Sequence, residues 1–212
     1  MNSSRFLRSR QMRCPHQTAA AHCGYSLIEM LIVVALIGLI GAMAVPMTNN
    51  TLASFRLSGD ARGVLAAISL TKLRAASDFT RARLYVDVTG RSFRVETWQK
   101  TAATWTSIGG TTTLSTNDTF GFGVVGAPPA NTQAALGQSP LCLDDMGNAV
   151  ANTACIVFNS RGIPVGAAGA PTGNNAIYLT DGSAVYGVTL SATGLTRLWL
   201  TRAADPPVWM LQ

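Results

Sequence analysis

Few residues in this 212-residue chain could do chemistry, and their placement argues against an enzyme. Both histidines, His16 and His22, lie near the start beside Cys14 and Cys23, and no histidine follows. A Cys-x-His…His-Cys spacing is poor for structural zinc, and nothing around it would form a rigid shell. A Ser-His-acid or Cys-His arrangement is not available beyond residue 24. Asp144 and Asp145 are adjacent carboxylates, which seldom converge on one substrate. They read as loop charges, with calcium as the weaker option. Gly121-Phe122-Gly123 lacks the further Gly and Lys of a phosphate loop. No catalytic residue, metal site or cofactor is expected.

Glu29 is the residue out of place. It opens a run from Met30 to Val45 that contains no polar side chain. A membrane-buried acid costs about 2.5–3.5 kcal/mol at mid-depth. Either Glu29 reaches the headgroups, or it has a cationic partner. If the chain were cut between Gly24 and Tyr25, the new α-amine would lie about 6 Å away along a helix, on a similar face. Glu29 could pair with that amine in its own chain or in a neighbour.

Residues 25–48 together are long enough for a helix crossing a hydrocarbon layer about 30 Å thick. The formal charge of +6 is concentrated before them. Arg5, Arg8, Arg10 and Arg13 stand in a stretch with no acid, and the rest of the chain holds 12 basic against 10 acidic residues. By the positive-inside rule residues 1–24 are cytoplasmic and the C-terminal part lies across the membrane. With 48% hydrophobic and 12% charged residues, 20 glycines and a mean hydropathy of +0.25, disorder is excluded and β structure with many turns is favoured.

Gly24-Tyr25-Ser26-Leu27-Ile28-Glu29 followed by an apolar run closely resembles the type IV prepilin signal. The resemblance implies that prepilin peptidase cuts after Gly24, removing the leader 1–24, whether it starts at Met1 or Met12. It also implies N-methylation of Tyr25 and compensation of a neighbouring subunit's N-terminal amine by Glu29. Pro46 falls where such pilins commonly carry a helix-bending proline. Ile156-Val157-Phe158-Asn159-Ser160-Arg161-Gly162 is similar to a strand and turn of the GspH/FimT group of minor pseudopilins. The group's terminal Gly-Arg-x-Arg turn is Gly194-Leu195-Thr196-Arg197 here.

The pattern past Pro46 predicts one helix from about 26 to 77, amphipathic over 49–80. Leu57, Ala61, Val64, Ile68, Ala75 and Phe79 form its apolar stripe, with Gly59 and Gly63 as weak points. From residue 81 to 212 a β-rich periplasmic domain is expected. The period changes to two in a hairpin of Leu84–Val88 and Ser92–Trp98. Residues 99–123 suggest short strands and turns, and 126–153 a long loop. Strands return at 155–158, 176–179, 185–190 and 195–201, before an irregular tail at Asp205-Pro206-Pro207. The fold class is α+β, a long transmembrane and amphipathic helix packed on an antiparallel sheet, as in pilins.

Cys142 and Cys155 lie in the translocated part, where an oxidising compartment permits a disulfide. Closing a loop of about 14 residues is worth about 3 kcal/mol in the chain-entropy model. The alternative is two free buried thiols.

The expected function is that of a structural minor pilin or pseudopilin subunit, anchored in the inner membrane and assembled with other pilin-like subunits into a type II secretion pseudopilus or type IV pilus. A DNA-binding minor pilin of a competence system is the alternative. It would use Arg81, Arg83, Arg91 and Arg94 of the first hairpin, or Arg197 and Arg202 near the last strand. The third option is a single-pass anchored domain that joins no filament.

Overall fold

The computed structural model describes residues 25–212, with side chains described outside 43–50. The leader, including Gly24, Cys14, Cys23 and both histidines, lies outside the described residues. The chain divides into two compact units between Val45 and Pro46. Helix α1 (Leu27–Ser77) begins in the first unit, runs on through Pro46 and ends in the second.

Within the second unit, α1 lays down the expected stripe. Leu57, Ala61, Val64, Ile68, Thr71 and Ala75, at steps of three, four or their sum, are fully buried, while Arg56, Arg62 and Arg74 are exposed. Gly63 does not interrupt the helix, and a Cβ there would stand 3.7 Å from the Phe93 ring, so the helix lies close against that strand.

Phe79 departs from the stripe. The helix closes with Thr80 N–H donating to the Ala75 carbonyl, leaving Phe79 left-handed at φ 49°. That is a Schellman closure with a non-glycine residue at the left-handed position. It turns the Phe79 side chain into solvent, where it is 74% exposed.

The strands form two five-stranded sheets, where one was expected. The first has the order β3 (Thr104–Thr113), β2 (Ser92–Gln99), β1 (Ala82–Asp87), β7 (Thr153–Phe158), β8 (Pro164–Val165). The second has the order β12 (Met210–Leu211), β11 (Thr196–Arg202), β10 (Ala184–Leu190), β9 (Asn175–Thr180), β4 (Thr119–Phe120). All strand pairings are antiparallel. The expected hairpin is β1–β2, with Leu84 opposite Val95 and Val86 opposite Phe93. In its turn Gly90 N–H donates to Asp87 Oδ1, and a Cβ on Gly90 would stand 2.6 Å from the other carboxylate oxygen.

Inner faces of both sheets meet the helix in one core. It joins Leu57, Val64 and Ile68 to Leu84, Val86, Ile156 and Phe158 of the first sheet and to Ile177, Leu179, Val188 and Leu198 of the second. A smaller cluster on the other face of the second sheet holds Val125, Ala176, Tyr178 and Val185, with Phe122, Leu136 and Trp209 against it. Both faces of β9 are therefore covered, and all six of its residues are buried.

The long loop is more ordered than its glycines and prolines suggest. Gln138 brackets the Tyr178 backbone, accepting from its N–H and donating to its carbonyl, and Ser139 N–H donates to Ala176 O. Tyr178 Oη donates to Gln133 Oε1 at 2.7 Å, and burial pushes its phenol up, so it keeps that proton. The loop also contains a small hairpin, β5 (Cys142–Leu143) with β6 (Ala149–Val150). In the tail, β12 adds to β11.

If the stripe is the floor of the domain, Ile68→Ala should cost about 2–5 kcal/mol while Phe55→Ala, at an exposed position, stays within about 0.5 kcal/mol. Urea denaturation of the full chain in detergent measures both, and equal effects would contradict this core.

Candidate functional site

The first candidate region is the start of the chain. Tyr25 and Ser26 precede the helix, and Met30 N–H donates to Ser26 O at 3.2 Å. Ser26 and Glu29 have the spacing of a capping box, with the carboxylate in the first turn at the positive end of the helix dipole. Glu29 is exposed, and its carboxylate makes no ion pair with any described residue.

Every large apolar side chain from Leu27 to Ile40 is exposed, from 44% at Val33 to 79% at Leu27, and Tyr25 is 77% exposed. Bare apolar surface of this extent marks an interaction site. Among the described residues no helix is long and apolar enough to cross a membrane. Residues 43–48 of the expected span 25–48, Pro46 among them, have side chains outside the described set.

A second region is built on the outward face of the first sheet. Period-two alternation places Arg83 and Tyr85 of β1 and Arg94, Glu96 and Trp98 of β2 on one side. The register sets Arg83 opposite Glu96, Tyr85 opposite Arg94 and Trp98 opposite Trp105. Glu96 accepts from Arg83 Nε through one oxygen and from Arg94 Nε through the other, each at 2.6 Å. Arg83 and Glu96 are buried, and burial draws the Arg83 guanidinium down from its usual range against the opposing pull of Glu96.

Guanidinium groups and rings alternate across this face. Arg81 lies over Trp98 and Trp105, Arg83 over Trp105 and Tyr85, and Arg94 over Tyr85 at 3.9 Å. Arg83 Nη1 also donates to Leu143 O, which ties the β5–β6 hairpin onto the sheet.

Cys142 and Cys155 form a disulfide, linking β5 to β7 beside this ladder. Cys142 N–H donates to Thr153 Oγ1 and Cys155 N–H to Pro140 O. Asp144 and Asp145 both serve the hairpin. Asp144 accepts from the Asn148 side chain and from the N–H groups of Asn148 and Met146, which hold its carboxyl below the usual range. Asp145 Oδ1 accepts from Trp105 N–H. Among the described residues no group of three or more His, Cys, Asp or Glu is placed to hold a metal ion.

Of the arginines considered for DNA, Arg81, Arg83 and Arg94 lie on the ladder face of the first sheet, and Arg197 and Arg202 on the second sheet. Arg83 and Arg94 share Glu96, and Arg91 sits exposed in the β1–β2 turn at φ 48°. Arg197 and Arg202 are both exposed on β11, but five positions apart on a strand they point to opposite faces. Sequence reading missed the role of Glu96. The alternation around it was visible, but its two partners follow only from the strand register.

Replacing Glu96 by Gln strands a buried guanidinium and should cost about 3–5 kcal/mol, with the double variant Arg83→Met/Glu96→Gln recovering part of it. Denaturant midpoints of the full chain report both. A loss under about 0.5 kcal/mol for Glu96→Gln would place the pair among ordinary surface charges.

Residues 20–45 match the family described as the prokaryotic N-terminal methylation motif. No curated protein matches the chain. Among solved structures, the chain is similar to the minor pseudopilin EpsH from the Type 2 Secretion System of Vibrio cholerae. The identity is 12% and the TM-score 0.37, covering 74% of this chain and 96% of that one. Gly24 to Glu29, which carry the prepilin resemblance, lie within the residues that match the methylation motif.

Proposed function

We propose that the chain is a structural minor subunit of a type II secretion pseudopilus or a type IV pilus. Residues 25–48 insert in the inner membrane with residues 1–24 in the cytoplasm and the β domain in the periplasm. Prepilin peptidase cuts after Gly24, and the new terminus at Tyr25 is methylated. The apolar half of α1 then leaves lipid for a bundle of like helices. Glu29, buried among those helices, faces the N-terminal amine of an adjacent subunit. Pro46 gives the helix the bend that lets its two parts follow different neighbours. The role is one of packing, without catalysis.

What carries this reading is the match of residues 20–45 to the methylation motif. The unbroken exposure of the apolar side chains that follow supports it, because in water that surface would have to be covered. A charge pair also accounts for an acid at a depth where acids are costly.

In cells that contain prepilin peptidase, mass spectrometry should find a chain beginning at N-methyl-Tyr25. Glu29→Ala should be cut equally well yet enter sheared filaments about tenfold less, the ratio for about 1.4 kcal/mol of lost pairing. An uncut chain would contradict the proposal, and undiminished entry of the variant would remove the charge pair from it.

A further inference from the structure

Asp118 stands in the crossover that carries the chain from β3 in the first sheet to β4 in the second. It is 1% exposed, and its Oδ2 meets no hydrogen-bond partner. A buried ionised carboxylate with an empty oxygen would be expensive, so the chemistry of its neighbours decides its state.

Those neighbours are mostly acidic. Asp60 of α1 stands beside the Asp118 side chain and, with Asp181 of the β9–β10 turn, disfavours its charged form. Arg56, one turn earlier on α1, opposes them. Asp60 is itself engaged by the crossover, because Ser115 N–H donates to its Oδ2 at 2.6 Å and Ser115 Oγ lies 3.2 Å from its Oδ1. For Asp181, burial works against ionisation, but N–H groups of Ala184 and Ser183 and the Ser183 hydroxyl outweigh it and hold its carboxyl below the usual range.

With Asp118 wholly buried beside the half-buried Asp60, a charge on both is costly, and a proton held at Asp118 relieves the pair. Asp60 has its two oxygens taken up by Ser115. Asp118 has an unpartnered oxygen and a wholly buried side chain, which suits the protonated one. We propose that Asp118 and Asp60 share a single proton as a carboxyl–carboxylate clasp, which fastens the β3–β4 crossover to α1 and loosens when that proton leaves. The joint between the helix and the crossover thereby reads ambient pH.

The sign follows from linkage. Burial first, then Asp60 and the charge of Asp181, push the Asp118 carboxyl up from 3.8 to about 7. The folded chain holds this proton more tightly than the unfolded chain. The clasp's contribution is whole below about pH 4 and is lost as pH rises through about 7.

Infrared titration of the full chain in detergent tests the clasp. The wild type should show the carbonyl stretch of a protonated carboxylic acid at pH 6, disappearing with a midpoint near pH 7. Asp118→Asn should lack that band. Between pH 5 and 8 the wild-type melting temperature should fall relative to the variant, and the Ser115 amide should lose exchange protection in the wild type alone. Absence of the band at pH 6 in the wild type, or its persistence in Asp118→Asn, overturns the proposal. If Asp118→Asn does not fold, the wild-type titration decides alone.

Discussion

The buried stripe of α1 is what the domain rests on. Leu57, Ala61, Val64, Ile68 and Ala75 are each fully buried, and inner residues of both sheets pack into the same core. Each sheet has an apolar face to hide, and the helix supplies a surface common to both. In the first unit the same helix has a different character. From Leu27 to Ile40 its large apolar side chains are all exposed.

The outer faces of the two sheets are sealed differently. On the first, the Arg83–Glu96–Arg94 group and the interleaved rings hold charge over buried backbone, and the disulfide pins the β5–β6 hairpin beside them. On the second, the loop after Gly126 is sewn to β9 through Gln133, Gln138 and Ser139, while Trp209 from the tail donates to Ala127 O. Side chains thus fix these loops where regular strand pairing runs out.

Much of the architecture was legible wherever period and punctuation agreed. The α1 stripe as far as Ala75, the β1–β2 hairpin and strands β9, β10 and β11 follow from spacing alone. Features set by long-range register did not. The Thr- and Gly-rich stretch Thr104–Thr113 shows little hydrophobic alternation, yet among the described residues it is the longest strand, because β2 pairs with it on both sides of a bulge between Phe93 and Val95. The division into two sheets turns on the crossover before β4, which carries no periodic signal. Phe79 fits the helical stripe by spacing and leaves it by backbone conformation. At the N-terminus the signal was readable residue by residue, since its chemistry depends on local order: a small residue, an aromatic, then an acid at the mouth of an apolar run.

The account stands on the apolar half of α1 being covered by the helices of other subunits. A photo-crosslinking side chain at Ile32 or Leu36, in cells that make the whole assembly, reads what lies against that surface. The account predicts covalent adducts with other pilin-like chains after processing at Tyr25. Adducts with lipid alone, from a correctly processed chain, would contradict it.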